Sequence, residues 1–261
     1  MLFPTIIYGP IHSRRLGISL GVNLMPVARK ICTFDCVYCE CGFNLHDRRH
    51  GALPTAEQVA SELEQQLCDL RKKKVTLDVI TFSGNGEPTL HHEFERIMAD
   101  TVRLRDKYCP SAKISVLSNS TQLYREDVRR GLMMADNRIL KLDSAINTTM
   151  KLIDRPVDHH LTVEKIVEYL KLFNGDFTLQ TCFLSGQVPA EDGMMVDIDN
   201  TTDTEVEAWL KILPAVNPKE IMIYVIDRET PVRSLNKISP DIMHRIASQA
   251  EQTGFHVIVS A

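Results

Sequence analysis

Six short apolar runs, each followed by a longer stretch in which apolar residues recur every three to four positions, most constrain how this chain can fold. The runs cover residues 18–24, 75–83, 114–119, 138–143, 177–184 and 221–226, and the last is apolar throughout, as a strand covered on both faces should be. The clearest helix opens on Thr55-Ala56-Glu57-Gln58, a capping-box pattern, and carries Val59, Leu63, Leu67 and Leu70 on one face. Strands alternating with helices predict a parallel sheet joined by right-handed crossovers. The expected fold class is α/β, a partial (βα)6 TIM-type barrel with parallel strands in one domain, residues 1–261. It comprises a short N-terminal arm (1–17), the barrel (18–230) and a C-terminal helix-strand extension (231–261). Such crossovers bring every strand-to-helix loop to one rim, so the chemistry is expected in those loops.

The loop after the first run holds Lys30-Ile31-Cys32-Thr33-Phe34-Asp35-Cys36-Val37-Tyr38-Cys39, three thiols within eight residues. Thiols so close in a short loop pair with each other only under strain, but they suit one compact, soft, multi-iron ligand. A 4Fe-4S cluster normally takes four thiolates. Cys32, Cys36 and Cys39 as ligands would therefore leave one iron open to another molecule. Cys41 is either a fourth ligand, which would close the cluster, or a bystander. Cys68, Cys109 and Cys182 stand far apart, and no second cluster is legible. The loop after the second run is Gly84-Asn85-Gly86-Glu87-Pro88. Its glycines let the backbone approach a partner closely; read alone, the same residues are a tight turn.

Composition narrows the setting. A hydrophobic content of 44% suffices for a sizeable core, and a net charge of -4 argues against a broad nucleic-acid surface. Residues 1–74 nevertheless carry +3, in Arg14-Arg15, Arg29-Lys30, Arg48-Arg49 and the run Arg71-Lys72-Lys73-Lys74. That run ends a predicted helix, where cations complement the macrodipole. Arg14 and Arg15 are read either as surface charges or as a contact for an anionic group. Seven cysteines, an odd number without framework spacing, indicate a reducing interior. The opening residues lack the basic and long apolar segments of a signal peptide, and no apolar run is long enough to span a membrane. The expectation is a cytoplasmic protein without a membrane partner.

The CxxxCxxC spacing, with the aromatic Tyr38 before the last cysteine, resembles the radical S-adenosylmethionine (SAM) enzymes. Residues 84–88 are similar to the glycine-glutamate-proline motif whose backbone holds the SAM amino group, although here Asn85 separates the two glycines. The N-terminal arm, the phrase Lys141-Leu142-Asp143-Ser144-Ala145 and Ile226-Asp227-Arg228-Glu229-Thr230-Pro231 extend the resemblance over nearly the whole chain. They look like stand-alone iron-sulfur oxidoreductases distantly similar to the wyosine-base and molybdenum-cofactor biosynthesis enzymes and to glycyl-radical activating enzymes. The resemblance implies a 4Fe-4S cluster on Cys32, Cys36 and Cys39, with SAM on its open iron. It further implies reductive cleavage of SAM to a 5'-deoxyadenosyl radical that abstracts hydrogen from a substrate. Implied cofactor contacts are Tyr38, Gly84, Asn85, Gly86, Glu87, Pro88, Ser118, Asn119, Lys141, Asp143 and Gln180. Implied partners are a reductant such as flavodoxin or ferredoxin, and a substrate that is a protein glycyl radical site, a small metabolite or an RNA base. The acidic balance disfavours RNA.

Strand parity keeps some alternatives open. Lys141 and Asp143 share one face of their strand, and buried charges need partners or ligands. Lys141 either meets the SAM carboxylate, with Asp143 at the ribose hydroxyls, or pairs with Asp143. Gln180 shares a face with Thr178 and Cys182. Ser118-Asn119 either contacts SAM or caps the following helix. His91-His92 and His159-His160 are read as solvated helix starts, and Met133-Met134 and Met194-Met195 as core or loop packing. Gly86→Val is expected to spare the cluster and weaken SAM binding. The rival to an enzyme is a non-catalytic iron-sulfur electron carrier with Cys41 as fourth ligand; zinc fits this crowded loop poorly.

Overall fold

The computed structural model of the chain describes residues 1–13, 15–45, 51–190 and 192–261. Arg14 and the Arg48-Arg49 pair, singled out by charge, lie outside the described residues. The chain forms two compact units, one of residues 1–32, 44–118 and 122–139, the other of residues 33–43, 119–121 and 140–261.

The first unit is a sheet of β1 (Ile7–Ser13), β2 (Gly17–Val22), β3 (Val79–Phe82) and β4 (Lys113–Ser118). β2, β3 and β4 run parallel in sequence order, as the apolar runs predict, with Leu20 beside Ile80 and Ile80 beside Ile114. The N-terminal arm departs from expectation: β1 pairs antiparallel with β2 and ends that sheet. Three helices belong to this unit, α1 (Ala56–Lys72), α2 (Phe94–Tyr108) and α3 (Glu126–Met133). The capping box of α1 forms in both directions between Thr55 and Gln58, and Val59, Leu63, Leu67 and Leu70 are buried. Thr55→Ala removes one half of that box and is expected to cost about 1 kcal/mol in a urea titration; an unchanged midpoint would show that the cap contributes nothing. Leu90 does not lie on α2 but ends a single 3-10 turn, Pro88–Leu90, ahead of it.

β5 (Asn137–Lys141) begins in the first unit and ends in the second. The second unit continues with α4 (Asn147–Asp154), α5 (Val163–Lys171), β6 (Thr178–Pro189), β7 (Met195–Asp199), α6 (Asp203–Val216), β8 (Glu220–Val225), β9 (Leu235–Lys237), α7 (Pro240–Gln252) and β10 (Val257–Ser260). β6, β8 and β10 are parallel neighbours, so the last strand of the C-terminal extension is an integral part of this unit's sheet. Beyond Leu184, where the apolar run of the sequence ends, β6 continues into antiparallel pairing with β7 and β9. The Trp209 indole of α6 is buried, and its N–H donates to the Thr181 hydroxyl on β6 at 3.1 Å. Among the described residues no helix is long and apolar enough to cross a membrane.

His91 is not solvated. Its ring is fully buried; Nε2 bonds the Pro54 carbonyl at 2.7 Å and Nδ1 accepts the Glu93 amide at 3.1 Å. That is the pattern of a neutral imidazole, and burial lowers its pKa. His159 and His160 are exposed as expected, whereas Met133, Met194 and Met195 are exposed where packing was expected.

Candidate functional site

In the first unit the stem of the cysteine loop is joined to the glycine loop. The Ile31 amide donates to the Asn85 carbonyl at 2.9 Å, and the Glu87 amide donates to the Ile31 carbonyl at 3.1 Å. Gly86 has φ +142°, and a Cβ placed there would lie 1.8 Å from the Ile31 carbonyl oxygen. Gly84 has φ +139°, and its Cβ would lie 2.6 Å from the Asn23 side-chain oxygen. The close approach that the glycines permit is thus made by the chain's own Ile31 and Asn23.

Asn85, which separates the two glycines, is fully buried. Its Oδ1 accepts the Phe3 amide at 2.8 Å, while its Nδ2 donates to the carbonyls of Phe3 (2.9 Å) and Pro26 (3.0 Å). The Asn85 amide donates to Asn23 Oδ1 at 3.0 Å. The residue therefore clasps two other segments, at Phe3 and at Asn23 to Pro26, to the loop. The buried Glu87 carboxylate accepts the Thr89 amide at 3.0 Å and the Thr89 hydroxyl, starting the 3-10 turn at Pro88. Asn44, which the sequence reading overlooked, brackets Cys32: its Oδ1 accepts the Cys32 amide and its Nδ2 donates to the Cys32 carbonyl, both at 3.0 Å.

In the second unit the segment carrying Cys36 and Cys39 is laced to the end of α4. The Asp35 amide donates to the Asp154 carbonyl and the Val37 amide to the Ile153 carbonyl, each at 2.9 Å. Val37 is fully buried in an apolar cluster with Ile153, Cys182, Leu184, Val188, Ile198 and Val232. Burying such a side chain contributes about 1.5 to 3 kcal/mol. The Cys39 amide returns to the Cys36 carbonyl at 3.1 Å, and Gly42 to Cys39 at 2.9 Å, so the chain turns twice across the thiols. None of the seven cysteines is in a disulfide; Cys36 is buried and Cys32, Cys39 and Cys41 are partly exposed. Among the described residues no three His, Cys, Asp or Glu side chains already form a metal cage.

Lys141, at the end of β5, is the centre of a buried polar cluster beside Cys36. Its ammonium lies 2.5 Å from Asp154 Oδ1 and 3.1 Å from Asp143 Oδ2, and donates to Cys36 Sγ at 2.9 Å. The rings of Phe34 and Tyr38 flank it at 5.1 and 4.9 Å. Asp143 Oδ2 also accepts the Tyr38 hydroxyl, and its Oδ1 accepts the Cys182 amide at 2.9 Å. Asn200 supports this turn, donating to the carbonyls of Asp143 and Cys182 at 2.8 Å each.

Burial alone would lower the Lys141 pKa, but Asp143, Asp154 and Cys36 hold it well above its ordinary value. Burial pushes the Asp154 carboxyl up to about 7 against the opposing pull of Lys141. Burial and then Asp143 raise the Tyr38 phenol and the Cys182 thiol, so both stay protonated. Lys141 and Asp143, which share a strand face, form an ion pair. Asp154 and Tyr224, whose hydroxyl meets that of Tyr38 at 3.4 Å, join the cluster from positions that no sequence pattern marks.

Asn119 donates to the Thr33 hydroxyl at 2.8 Å and accepts from the Thr121 amide and hydroxyl. The N-cap of α3 is Arg125, so neither Ser118 nor Asn119 caps that helix. Buried Gln180 reaches Met222 Sδ at 3.5 Å, and its carbonyl accepts the Leu142 amide at 3.0 Å.

No family model matches the chain. A UPF0026 protein of Synechocystis sp. is 31% identical over 234 residues, which cover 88% of this chain and 78% of that protein. The chain belongs to the UPF0026 family. A UPF0026 protein of Methanocaldococcus jannaschii is also 31% identical, over 232 residues, and this chain spans 64% of its length. A Brachyspira hyodysenteriae protein named GTPase Obg is 27% identical over 243 residues, of which this chain spans only 32%. In the UPF0026 chain no glycine is followed by lysine, as a phosphate-binding P-loop requires.

Two solved structures give the fold. A radical SAM methyltransferase from Sphaerobacter thermophilus superposes with a TM-score of 0.64 at 15% identity, covering 92% of this chain and 65% of that one. SuiB from Streptococcus suis, bound to S-adenosylmethionine, superposes with a TM-score of 0.61 at 12% identity, covering 92% and 50%. The UPF0026 chain therefore has the α/β fold of the radical SAM enzymes, as the strand-helix alternation and the cysteine motif predict.

Proposed function

We propose that this protein is a radical SAM enzyme in which Cys32, Cys36 and Cys39 hold a 4Fe-4S cluster. The observation that carries this is the backbone lacing of Ile31, next to Cys32, onto the Asn85 and Glu87 backbone, in a chain with the radical SAM fold. Cys32, the first thiol of one motif, is thereby tied to the other motif. The donor set suits the group: soft thiols outside any disulfide, in a segment with a buried Val37 anchor and a cationic donor on Cys36.

When bound, the cluster and SAM would supply a 5'-deoxyadenosyl radical that takes hydrogen from the substrate. The chain's own residues have separate tasks. Gly84, Asn85, Gly86, Glu87 and Pro88 present backbone to SAM, and Asn85 holds that loop in shape through its amide. Tyr38 keeps its proton and holds Asp143, while Ser118, Asn119 and Gln180 offer polar contacts to the nucleoside. Electrons would come from flavodoxin or ferredoxin in the cytoplasm. The substrate is a protein glycyl radical site, a small metabolite or, less favoured by the net charge of -4, an RNA base.

Anaerobic reconstitution with iron and sulfide tests this directly. Dithionite and SAM should then yield 5'-deoxyadenosine in proportion to the protein. Cys36→Ala should assemble no cluster, whereas Cys41→Ala should retain both cluster and product. A Cys36→Ala protein with its full complement of iron would remove that residue from the ligand set. Loss of the cluster in Cys41→Ala, with no product from the parent, would favour the electron carrier.

A further inference from the structure

We propose that Lys141 is a positioning residue for Cys36, whose N–H···S bond and charge raise the reduction potential of the cluster, with Asp154 as the opposing counter-charge. The inference rests on the cluster reading above and concerns how the protein tunes that site. The Lys141 ammonium donates to Cys36 Sγ and is ion-paired on its other sides with Asp154 Oδ1 and Asp143 Oδ2.

The lysine is also held in place. Its side chain is 10% exposed, aromatic rings lie on two sides, and Asp143 is itself fixed by Tyr38 and the Cys182 amide. A donor fixed this firmly on a ligand sulfur acts on the metal through that sulfur. Hydrogen bonds to cluster sulfurs and nearby charge are main determinants of iron-sulfur potentials. Reduction adds one negative charge, so a nearby cation favours the reduced state and a nearby carboxylate opposes it. Away from water both effects are weakly screened.

The two signs make the test. Parent, Lys141→Met and Asp154→Asn proteins are reconstituted anaerobically without SAM and titrated with dithionite, one electron per cluster, under EPR. Lys141→Met should shift the midpoint below the parent. Asp154→Asn, which keeps the backbone bond to Asp35 and a polar group toward Lys141, should shift it above. If Lys141→Met does not fold, the Asp154→Asn shift alone decides the matter. Unchanged midpoints, or a downward shift in Asp154→Asn, overturn the inference while leaving the cluster reading intact. A parent protein that assembles no cluster overturns both.

Discussion

Lys141→Met is expected to destabilise the protein by about 3 to 5 kcal/mol, because it leaves two buried carboxylates without the cation between them. Asp143 and Asp154 have essentially no exposed side-chain surface, so water cannot replace the ammonium. The loss should depend on pH. Asp154 already has a pKa raised to about 7 in the folded protein. A raised carboxyl pKa means that the folded state binds the proton more tightly, so stability falls as pH rises from about 4 through 7. Without Lys141, which pulls that pKa down, the fall should steepen and extend to higher pH. Chemical denaturation at pH 5 and pH 8 would measure this: the gap between variant and parent should be wider at pH 8. A loss below about 1 kcal/mol at both values would mean that the charges find other partners.

Gly86→Val is expected to cost more than about 4 kcal/mol and to prevent folding in a protein of ordinary stability. Two effects coincide. The backbone at φ +142° is one that residues with a Cβ rarely adopt, and the added atom would overlap the Ile31 carbonyl. Neither neighbour can yield cheaply, since the Ile31 carbonyl and amide are both bonded to this loop. The sequence suggested a milder outcome, with the cluster spared and SAM binding weakened; the structure puts Ile31 where that substituent would go. Gly254→Ala is the control. It has φ +97° with nothing within 4 Å of a Cβ, so it should cost only the backbone strain of about 1 to 2 kcal/mol. Equal losses in the two variants, by thermal denaturation, would show that the overlap at position 86 is relieved by local movement.

What could be read from the sequence was set by local pattern. The α1 capping box and its apolar face are contained within the helix, and they formed as expected. The run at residues 177–184 was legible as a strand, but its continuation to Pro189 was not, because that stretch is held by β7 and β9. α4 was missed for another reason: it has eight residues and no side-chain N-cap bond, and it ends at Arg155 in a left-handed conformation that no glycine announces. Its absence concealed Asp154, and so the second counter-charge of Lys141. His91 depends on Pro54, a partner 37 residues away, so its neighbours in sequence suggested solvent.

Asp154 divides its duties between main chain and side chain. Its carbonyl takes the Asp35 amide and so helps shape the thiol-bearing ribbon, whereas its carboxylate faces the Lys141 ammonium. Replacing only the side chain would alter the field at Cys36 without slackening the ribbon. Position 154 is thus a natural dial, one that can be reset in small steps while the three-thiol spacing stays as it is.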